Sequence, residues 1–302
     1  MTKYDVIIVG AGPAGLTAAI YAARSGLKTA IVSKDIGGTA NSILVIENWP
    51  GYKGSGGKLM KSFYEHAKEY EIKFLMEDVE SIKKKGNEFI VKTKKGEVQS
   101  KGLIFSTGTE RRKLNIKGEK ELTGKGISYC VTCDSFFFKN KIVAVVGGSD
   151  CAATSALALS DIAKKVYIFY RGEKLRCEDI TSDRLRKKEN VEIHYNSVPK
   201  EIVGKDKVEG LLIDEKGKEK EIELDGIFVE IGATPMVKCL GDLNLKLDKE
   251  NQIVVDENMK TSVEGMFAAG DVTNQKLKQV VVSAGQGAIA AKSAYEYIRG
   301  KE

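Results

Sequence analysis

Two segments of the chain share one order of apolar and glycine-rich stretches. In the first, a strand-length apolar run at residues 4–9 is followed by a glycine turn at 10–15 and a helical pattern at 16–23. In the second, an apolar run at 141–146 is followed by paired glycines at 147 and 148 and a helical pattern from 153. Strand, turn and helix in this order predict a βα unit of a parallel sheet. The repeat therefore predicts an α/β fold with two Rossmann-like dinucleotide-binding domains.

Length and charge agree with this fold class. A chain of 302 residues is long enough for two domains with cores of their own. The net charge of +6 is spread over segments such as 83–85 and 186–188, as on solvated surfaces. No stretch interleaves aromatic and basic residues, so we expect no nucleic-acid partner. A mildly basic surface can still steer acidic protein partners.

The remaining composition indicates the cellular setting. The chain passes from Met1 directly into an apolar strand, without a cationic leader, and no apolar run approaches about eighteen residues. The cysteines number five and are scattered, which argues against a secreted disulfide framework. We therefore expect a soluble cytoplasmic protein that makes no use of a membrane.

The first glycine turn has the complete G-x-G-x-x-G pattern in its proper setting. Gly10 permits the tight turn, Gly12 lets the backbone approach a pyrophosphate, and Gly15 lets helix and strand pack closely. The helix N-terminus then offers free N–H groups to phosphates. The next strand ends at Ser33, where such folds often place an acidic residue for ribose, and Asp35 is two positions out of register. A dinucleotide cofactor is predicted here, with no assigned ribose contact.

The second glycine turn departs from the pattern. Ser149 stands at the second glycine position, where a side chain hinders the approach of a pyrophosphate. Arginines follow the next strand, as a 2′-phosphate requires, but they are equally typical of an ordinary surface. The sequence therefore predicts a degenerate NADP(H)-type site. Its candidate residues are Gly147, Gly148, Ser149, Asp150, Arg171 and Arg176.

A Cys-x-x-Cys pair lies between the two nucleotide segments, at Cys130 and Cys133, and is followed by Asp134. A zinc site normally needs a second such pair or well-spaced histidines. The two histidines, His66 and His194, do not have that spacing, and the other cysteines are isolated. We expect no metal. A redox-active dithiol is predicted instead, because two thiols at this spacing can close a small disulfide ring.

Together these motifs resemble the low-molecular-weight flavin thioredoxin reductases, and the similarity covers essentially the whole chain. It rests on an ordered set of segments. They are 10–15, the 37–38 glycine pair, 46–51, 106–108, 130–134, 261–262, 267–272, 278–280 and 283–285.

The resemblance implies an FAD-binding domain at residues 1–113 and 243–302, with a dithiol and pyridine-nucleotide-type domain inserted at 114–242. It implies a homodimer in which the dithiol alternates between flavin and thioredoxin. Cys133 would face the flavin, Cys130 would attack the substrate disulfide, and Asp134 would serve as acid and base. If Cys133 opens a helix, its thiolate gains from the helix dipole. A second helix, beginning near Ser283, would direct its positive end toward the flavin.

The resemblance also implies a set of FAD contacts. Asp271 would bind the ribityl or phosphate region, and five residues around 38–39, 48 and 279–280 would surround the isoalloxazine. Thr39 replaces the glutamine usual after the paired glycines, which weakens one such contact. The full FAD set is Gly10, Gly12, Pro13, Ala14, Gly15, Gly38, Thr39, Asn48, Val79, Thr107, Gly108, Gly270, Asp271, Lys278, Gln279 and Val280.

These features predict an FAD-dependent thioredoxin-disulfide reductase. NADPH-using relatives carry glycine at position 149 and a His-Arg-Arg run where this chain has Tyr170, Arg171 and Gly172. The sequence therefore favours reduced ferredoxin or another non-pyridine donor over NADPH, and a reduced deazaflavin as the only effective donor would require a third explanation. The alternatives are an NAD(P)H-dependent thioredoxin reductase and a non-catalytic flavin and thiol redox sensor. A ferredoxin–NADP reductase shares the two-domain plan, but its lack of the dithiol argues against it.

Overall fold

The computed structural model describes residues 2–43, 46–241 and 243–300. The chain forms two compact units, Met1–Glu110 with Thr234–Glu302, and Arg111–Ala233. The sequence places the corresponding domain boundaries at 113/114 and 242/243, and Asp242 lies outside the described residues. The second unit is thus inserted into the first.

The strands are β1 (Thr2–Ala11), β2 (Thr29–Ile36), β3 (Ile46–Trp49), β4 (Tyr52–Gly54), β5 (Ile72–Met76), β6 (Val79–Lys85), β7 (Glu88–Thr93), β8 (Gly96–Phe105), β9 (Thr109–Arg111), β10 (Ile127–Ser128), β11 (Ile142–Val146), β12 (Lys165–Tyr170), β13 (Val191–Tyr195), β14 (Ser197–Val203), β15 (Gly210–Glu215), β16 (Lys218–Glu223), β17 (Gly226–Val229), β18 (Ala233–Pro235) and β19 (Met266–Ala268). The α-helices are α1 (Pro13–Arg24), α2 (Gly56–Lys68), α3 (Glu119–Leu122), α4 (Val131–Asp134), α5 (Asp150–Ser160), α6 (Asp179–Arg186) and α7 (Val280–Arg299).

The first unit is built on a seven-stranded sheet in the order β5-β2-β1-β8-β7-β6, with β19 also paired to β8. The strands β5, β2, β1, β8 and β19 run parallel, whereas β6 and β7 form an antiparallel extension. The central strand β1 is buried from Val6 to Ala11 because sheet neighbours and helices cover it. Helices α1 and α7 share one apolar core with it, including Leu16 and Ala290.

The second unit contains a five-stranded parallel sheet in the order β10-β17-β11-β12-β13. A separate antiparallel sheet is formed by β14, β15 and β16. Residues of β11 contribute to two apolar clusters, one that includes α5 residues and one that includes β15 residues. Each unit thus contains a parallel sheet in which a strand leads through a glycine turn into a helix. The predicted α/β fold with two Rossmann-like domains is confirmed.

Helix α7 begins at Val280, three residues before Ser283, near which the sequence predicts its start. Gln279 has extended backbone angles and its carbonyl accepts a hydrogen bond from Ser283 N at 2.9 Å, which makes Gln279 the residue that precedes the helix. Among the helices formed by the described residues, none has the length and apolar character needed to cross a membrane.

Candidate active site

The first glycine turn connects β1 to α1 and has no room for side chains at two positions. A Cβ at Gly10, whose φ is +101°, would lie 2.5 Å from Ser106 O. A Cβ at Gly15 would lie 1.8 Å from Gly10 O. Helix, turn and strand therefore approach one another as closely as a dinucleotide-binding βα unit requires.

The same turn leaves space on its open side. A Cβ at Gly12 would have only Gly37 O, 4.0 Å away, within contact range, and a Cβ at Gly108 would meet nothing. Among the described residues no side chain caps α1, and Pro13 at its first position has no N–H to satisfy. The cradle thus fits a pyrophosphate, which would accept hydrogen bonds from the remaining N–H groups of the first turn.

Gly270 and Asp271 lie beside this cradle. A Cβ at Gly270 would come within 3.1 Å of Ala14 Cβ, which places the segment at the N-terminus of α1. Ser283 Oγ donates a hydrogen bond to Asp271 Oδ1 at 3.3 Å, and Gly270 N donates to Gln286 Oε1 at 2.8 Å. Asp271 is therefore held between the first turns of α1 and α7, where a cofactor hydroxyl could reach a carboxylate.

Two residues expected at the isoalloxazine meet in the structure. Asn48 Nδ2 donates a hydrogen bond to Gln279 Oε1 at 3.0 Å. Residues 48–53 line an open pocket of about 660 Å³. Thr39 lies exposed in the 3₁₀ turn Gly38–Ser42, and its carbonyl accepts a bond from Ser42 Oγ. Val280 opens α7 directly after Gln279.

Two of the expected FAD residues donate hydrogen bonds to the backbone, and a third lies in a strand. Lys278 Nζ donates to the carbonyls of Asp271, at 3.0 Å, and Thr273, and burial lowers the pKa of Lys278. Thr107 Oγ1 donates to Met236 O at 2.9 Å. Val79 opens β6 at the edge of the sheet. Lys278 and Thr107 therefore shape the site through the backbone that they hold.

The dithiol of the second unit is oxidised, with a disulfide between Cys130 and Cys133 and a Cα–Cα distance of 5.3 Å. Cys133 does not open a helix, so the condition for a gain from the helix dipole is not met. Cys130 precedes the four-residue helix α4, and its carbonyl accepts hydrogen bonds from Cys133 N and Asp134 N at 3.2 and 3.1 Å. Cys133 is the third residue of this single turn, and its own N–H is already bonded to Cys130 O. A dipole of one turn therefore contributes little to the stability of the Cys133 thiolate.

Asp134 is placed to hold a proton beside the dithiol. Its Oδ2 accepts a hydrogen bond from Ser128 Oγ at 2.6 Å, while its buried Oδ1 has no hydrogen-bond partner among the described residues. Burial raises the pKa of Asp134, and the bond from Ser128 opposes that rise. The buried Oδ1 without a hydrogen-bond partner among the described residues and the raised pKa both favour the protonated carboxyl. The protonated form is the one that can donate a proton to a nearby thiolate.

Sequence reasoning missed Ser128 and the buried Glu119. Ser128 Oγ accepts from Cys130 N at 3.0 Å, so one hydroxyl joins Asp134 to the first cysteine. The carboxylate of Glu119 accepts from Tyr129 OH at 2.8 Å, and burial with this bond raises the pKa of Tyr129 to about 12. Glu119 also accepts from the backbone of residues 114 and 115. The signal in the sequence was a polar residue between Ile127 and Tyr129, two positions before the dithiol.

The second glycine turn connects β11 to α5. Ser149 precedes α5 with extended backbone angles, and no described side chain caps the helix. Arg176 N donates to Gly148 O at 2.7 Å, so the loop after β12 is hydrogen-bonded to the turn. Asp150 Oδ1 accepts from Glu178 N at 2.9 Å. The side chains of Arg171 and Arg176 are exposed.

No set of three metal-ligating side chains is assembled among the described His, Cys, Asp and Glu residues. The remaining described cysteines, Cys151, Cys177 and Cys239, are free thiols.

Comparison with known proteins agrees with this arrangement. Residues 4–287 match the family described as pyridine nucleotide-disulphide oxidoreductase. The crystal structure of thioredoxin reductase from Streptococcus pyogenes is 38% identical with a TM-score of 0.91, over 99% of each chain. The thioredoxin reductase from Giardia duodenalis is 33% identical with a TM-score of 0.91, over 99% of this chain and 100% of that one.

Among curated relatives, a subunit of alkyl hydroperoxide reductase from Staphylococcus aureus is 41% identical over 300 residues, which are 98% of this chain. The chain spans 59% of the length of that relative. The family match, the topology of the two parallel sheets and the Cys130–Cys133 disulfide agree with one another. The chain belongs to the pyridine nucleotide-disulphide oxidoreductase family and has the fold of the thioredoxin reductases.

Proposed function

We propose that this protein is an FAD-dependent thioredoxin-disulfide reductase. The observation that carries the proposal is the Cys130–Cys133 disulfide with Asp134 beside it, in a chain whose solved neighbours are thioredoxin reductases. Bound FAD would supply the two electrons that reduce this disulfide. In the proposal the enzyme works as a homodimer in the cytoplasm, where its other thiols stay reduced.

The proposed FAD-binding domain is the first unit. The turn from Gly10 to Gly15 would hold the pyrophosphate at the N-terminus of α1. Asp271 would bind the ribityl or phosphate region, and the bonded pair Asn48 and Gln279 would contact the isoalloxazine. The second unit would carry the dithiol and the remnant of a pyridine-nucleotide site.

In the proposed reaction the reduced dithiol exchanges with thioredoxin. The Cys130 thiolate attacks one sulfur of the thioredoxin disulfide, which forms a mixed disulfide and releases one thioredoxin thiolate. Cys133 then attacks Cys130 Sγ, which closes the Cys130–Cys133 disulfide and releases the second thiolate. The two protons of the enzyme dithiol end on thioredoxin, and Asp134 would hold one in transit.

The surface beside the dithiol supports a protein substrate. Phe136 and Phe137 follow Asp134 and are 72% and 50% exposed. Adjacent exposed aromatic side chains are typical of protein-binding surfaces. We propose that thioredoxin covers them while its disulfide reacts with Cys130.

We propose reduced ferredoxin, or another non-pyridine donor, as the electron source. The support comes from two positions. Ser149 stands where the second glycine turn usually has a glycine, and Gly172 stands where the usual phosphate-binding run has an arginine. A net charge of +6 suits an acidic electron-transfer partner.

The test is anaerobic mixing of the oxidised flavoprotein with reduced ferredoxin, NADPH or NADH, followed by flavin absorbance and thioredoxin reduction. We expect flavin bleaching and thioredoxin reduction with ferredoxin alone. Rapid bleaching by NADPH would overturn the proposed donor. A bleached flavin that reduces no thioredoxin would overturn the proposed activity.

Two observations favour a second candidate. The N-terminus of α5 has no described side-chain cap, and Arg171 and Arg176 remain exposed near it, as binding of an NAD(P)H phosphate requires. The similarity to a subunit of alkyl hydroperoxide reductase gives this candidate an alternative acceptor, the other component of such a peroxide-reducing system. NADPH-dependent peroxide consumption with that component, faster than thioredoxin reduction, would establish it.

A further inference from the structure

The second glycine turn is covered by an aromatic side chain. We propose that Tyr170 is the residue that excludes pyridine dinucleotides from this turn, and that the carboxylate of Glu230 adds to the exclusion. The inference rests on the proposed function, in which the donor is not a pyridine nucleotide. It assigns the donor specificity to two residues outside the glycine motif.

The ring of Tyr170 lies between two glycines. A Cβ at Gly148 would fall 2.2 Å from Tyr170 Cδ2 and 2.4 Å from Cε2, and a Cβ at Gly172 would fall 2.7 Å from Cε1. The ring is therefore in direct contact with the backbone of the turn. Side chains at positions 148 and 172 would displace it, so both glycines make room for the ring.

This position is the one that a dinucleotide needs. In a βαβ unit the adenosine ribose is held at the end of the strand that follows the glycine turn. Tyr170 is the last residue of that strand, β12, which pairs in parallel with β11 up to Val146 and Phe169. A ribose bound in the usual place would have to displace the tyrosine ring.

The loop after β12 keeps the ring in place. Arg176 N donates to Gly148 O at 2.7 Å, and Ser149 pairs with Arg176 as an isolated parallel bridge. Asn196 N donates to Gly172 O at 3.0 Å. Both sides of the ring are thus backbone segments held by hydrogen bonds, so neither segment can move away from the ring without breaking them.

Glu230 places a negative charge against the same helix. It is 5% exposed and directly follows β17, the neighbour of β11. Its Oε1 accepts from Ser155 Oγ at 3.1 Å and its Oε2 from Cys151 Sγ at 3.3 Å, both on the first turns of α5. An anion there offsets the partial positive charge with which a helix N-terminus attracts phosphates. Burial raises the pKa of Glu230, whereas the hydrogen bonds from Cys151 and Ser155 and the positive charge of Arg111 oppose that rise and favour the carboxylate.

The test measures nucleotide binding directly, by calorimetric titration of NADP⁺ into the oxidised flavin-loaded protein. The variants are Ser149→Gly, Tyr170→Ala, the double change, and the double change with Glu230→Gln. We expect no measurable binding for the unmodified protein or for Ser149→Gly, since the ring remains. The double change should bind NADP⁺ with a Kd at least about tenfold below the weakest binding that the titration detects, and Glu230→Gln should tighten it again.

The matched control is Tyr170→Phe with Ser149→Gly, which keeps the ring and should bind no better than Ser149→Gly. Equal binding by the Phe and Ala versions would overturn the inference, as would no gain in any variant. Melting temperature and flavin content check that each variant is folded. If Tyr170→Ala does not fold, Tyr170→Val keeps a strand-forming residue and serves in its place.

The two proposals fail in different ways. Micromolar NADPH binding with rapid flavin bleaching in the unmodified protein would overturn the proposed donor. An unmodified protein that binds no NADP⁺, together with ring-less variants that also bind none, would overturn only the roles of Tyr170 and Glu230.

Discussion

Asn48 Nδ2 donates a hydrogen bond to Gln279 Oε1 at 3.0 Å, although the two residues are 231 positions apart. Asn48 lies on β3 and Gln279 directly precedes α7. The bond joins the N-terminal and C-terminal parts of the first unit at the proposed isoalloxazine site. Each side chain fixes the orientation of the other's amide.

Replacement of Asn48 by Leu should weaken FAD binding. The change removes the donor to Gln279 and leaves that amide free to rotate. A hydrogen bond of this kind contributes about 1 kcal/mol, so we expect the Kd for FAD to rise about fivefold. Flavin fluorescence during titration of the flavin-free protein measures it. Gln279→Glu retains the acceptor and should bind FAD more tightly than Asn48→Leu; the reverse order would contradict the role of this bond.

Replacement of Cys133 by Ser should separate flavin binding from turnover. The variant cannot close the disulfide with Cys130, so thioredoxin reduction should stop while the flavin spectrum and content stay unchanged. An insulin-reduction assay with thioredoxin measures the loss. Cys177→Ser, at a free thiol away from the dithiol in sequence, is the control and should keep full turnover. Undiminished turnover of Cys133→Ser would remove the dithiol from the mechanism.

Replacement of Asp134 by Asn should stabilise the protein as pH rises. Burial raises the pKa of Asp134 above its usual 3.8, so the folded protein binds its proton more tightly than the unfolded chain does. The stabilisation from this group is present at pH values below 3.8 and is lost as the pH rises through the folded pKa. Asparagine does not titrate, so the variant does not lose this stability. The melting temperature of the variant minus that of the parent should therefore grow as the pH rises from 3.8 through the folded pKa of Asp134. A difference independent of pH would contradict the raised pKa.

The same Asp134→Asn variant should reduce thioredoxin more slowly, since the amide cannot transfer the proton; general acid–base catalysis contributes about 10²–10⁴-fold. Ser128→Ala provides a second measurement, because it removes the hydrogen bond that lowers the pKa of Asp134. The pH profile of thioredoxin reduction should shift to higher pH in Ser128→Ala. Ser128→Thr keeps the hydroxyl and should leave the profile where it is.

Replacement of Gly15 by Ala should disrupt the first unit. The added Cβ would lie 1.8 Å from Gly10 O, a backbone atom that cannot move without opening the turn. We expect a loss of more than about 3 kcal/mol in the free energy of unfolding, with loss of bound FAD. Urea denaturation measures it. Gly57→Ala in α2 is the control: its Cβ would lie 3.8 Å from Asn41 O, an ordinary van der Waals contact, and alanine should stabilise the helix by about 0.5–1 kcal/mol.

Local sequence patterns were sufficient for the fold class. The strand–glycine–helix order at residues 4–23 and again from 141 depends on neighbours in the chain, and both units contain it. The dithiol is also local, because two intervening residues bring Cys130 and Cys133 within reach of each other. The predicted start of α7 was less accurate, since the helix begins three residues before Ser283. Extended backbone angles at Gln279 and at Cys130 decide where α7 and α4 begin.

The sequence by itself determined two dinucleotide-type βα units, a redox dithiol between them and the flavoprotein family. Only the tertiary structure decided which side chains modify those sites. The Tyr170 ring on Gly148, the Ser128 hydroxyl on Asp134 and the Glu230 carboxylate on α5 are examples. The physical reason is distance along the chain: glycine turns and short disulfide loops are set by adjacent residues, whereas these contacts depend on how separate strands and helices pack.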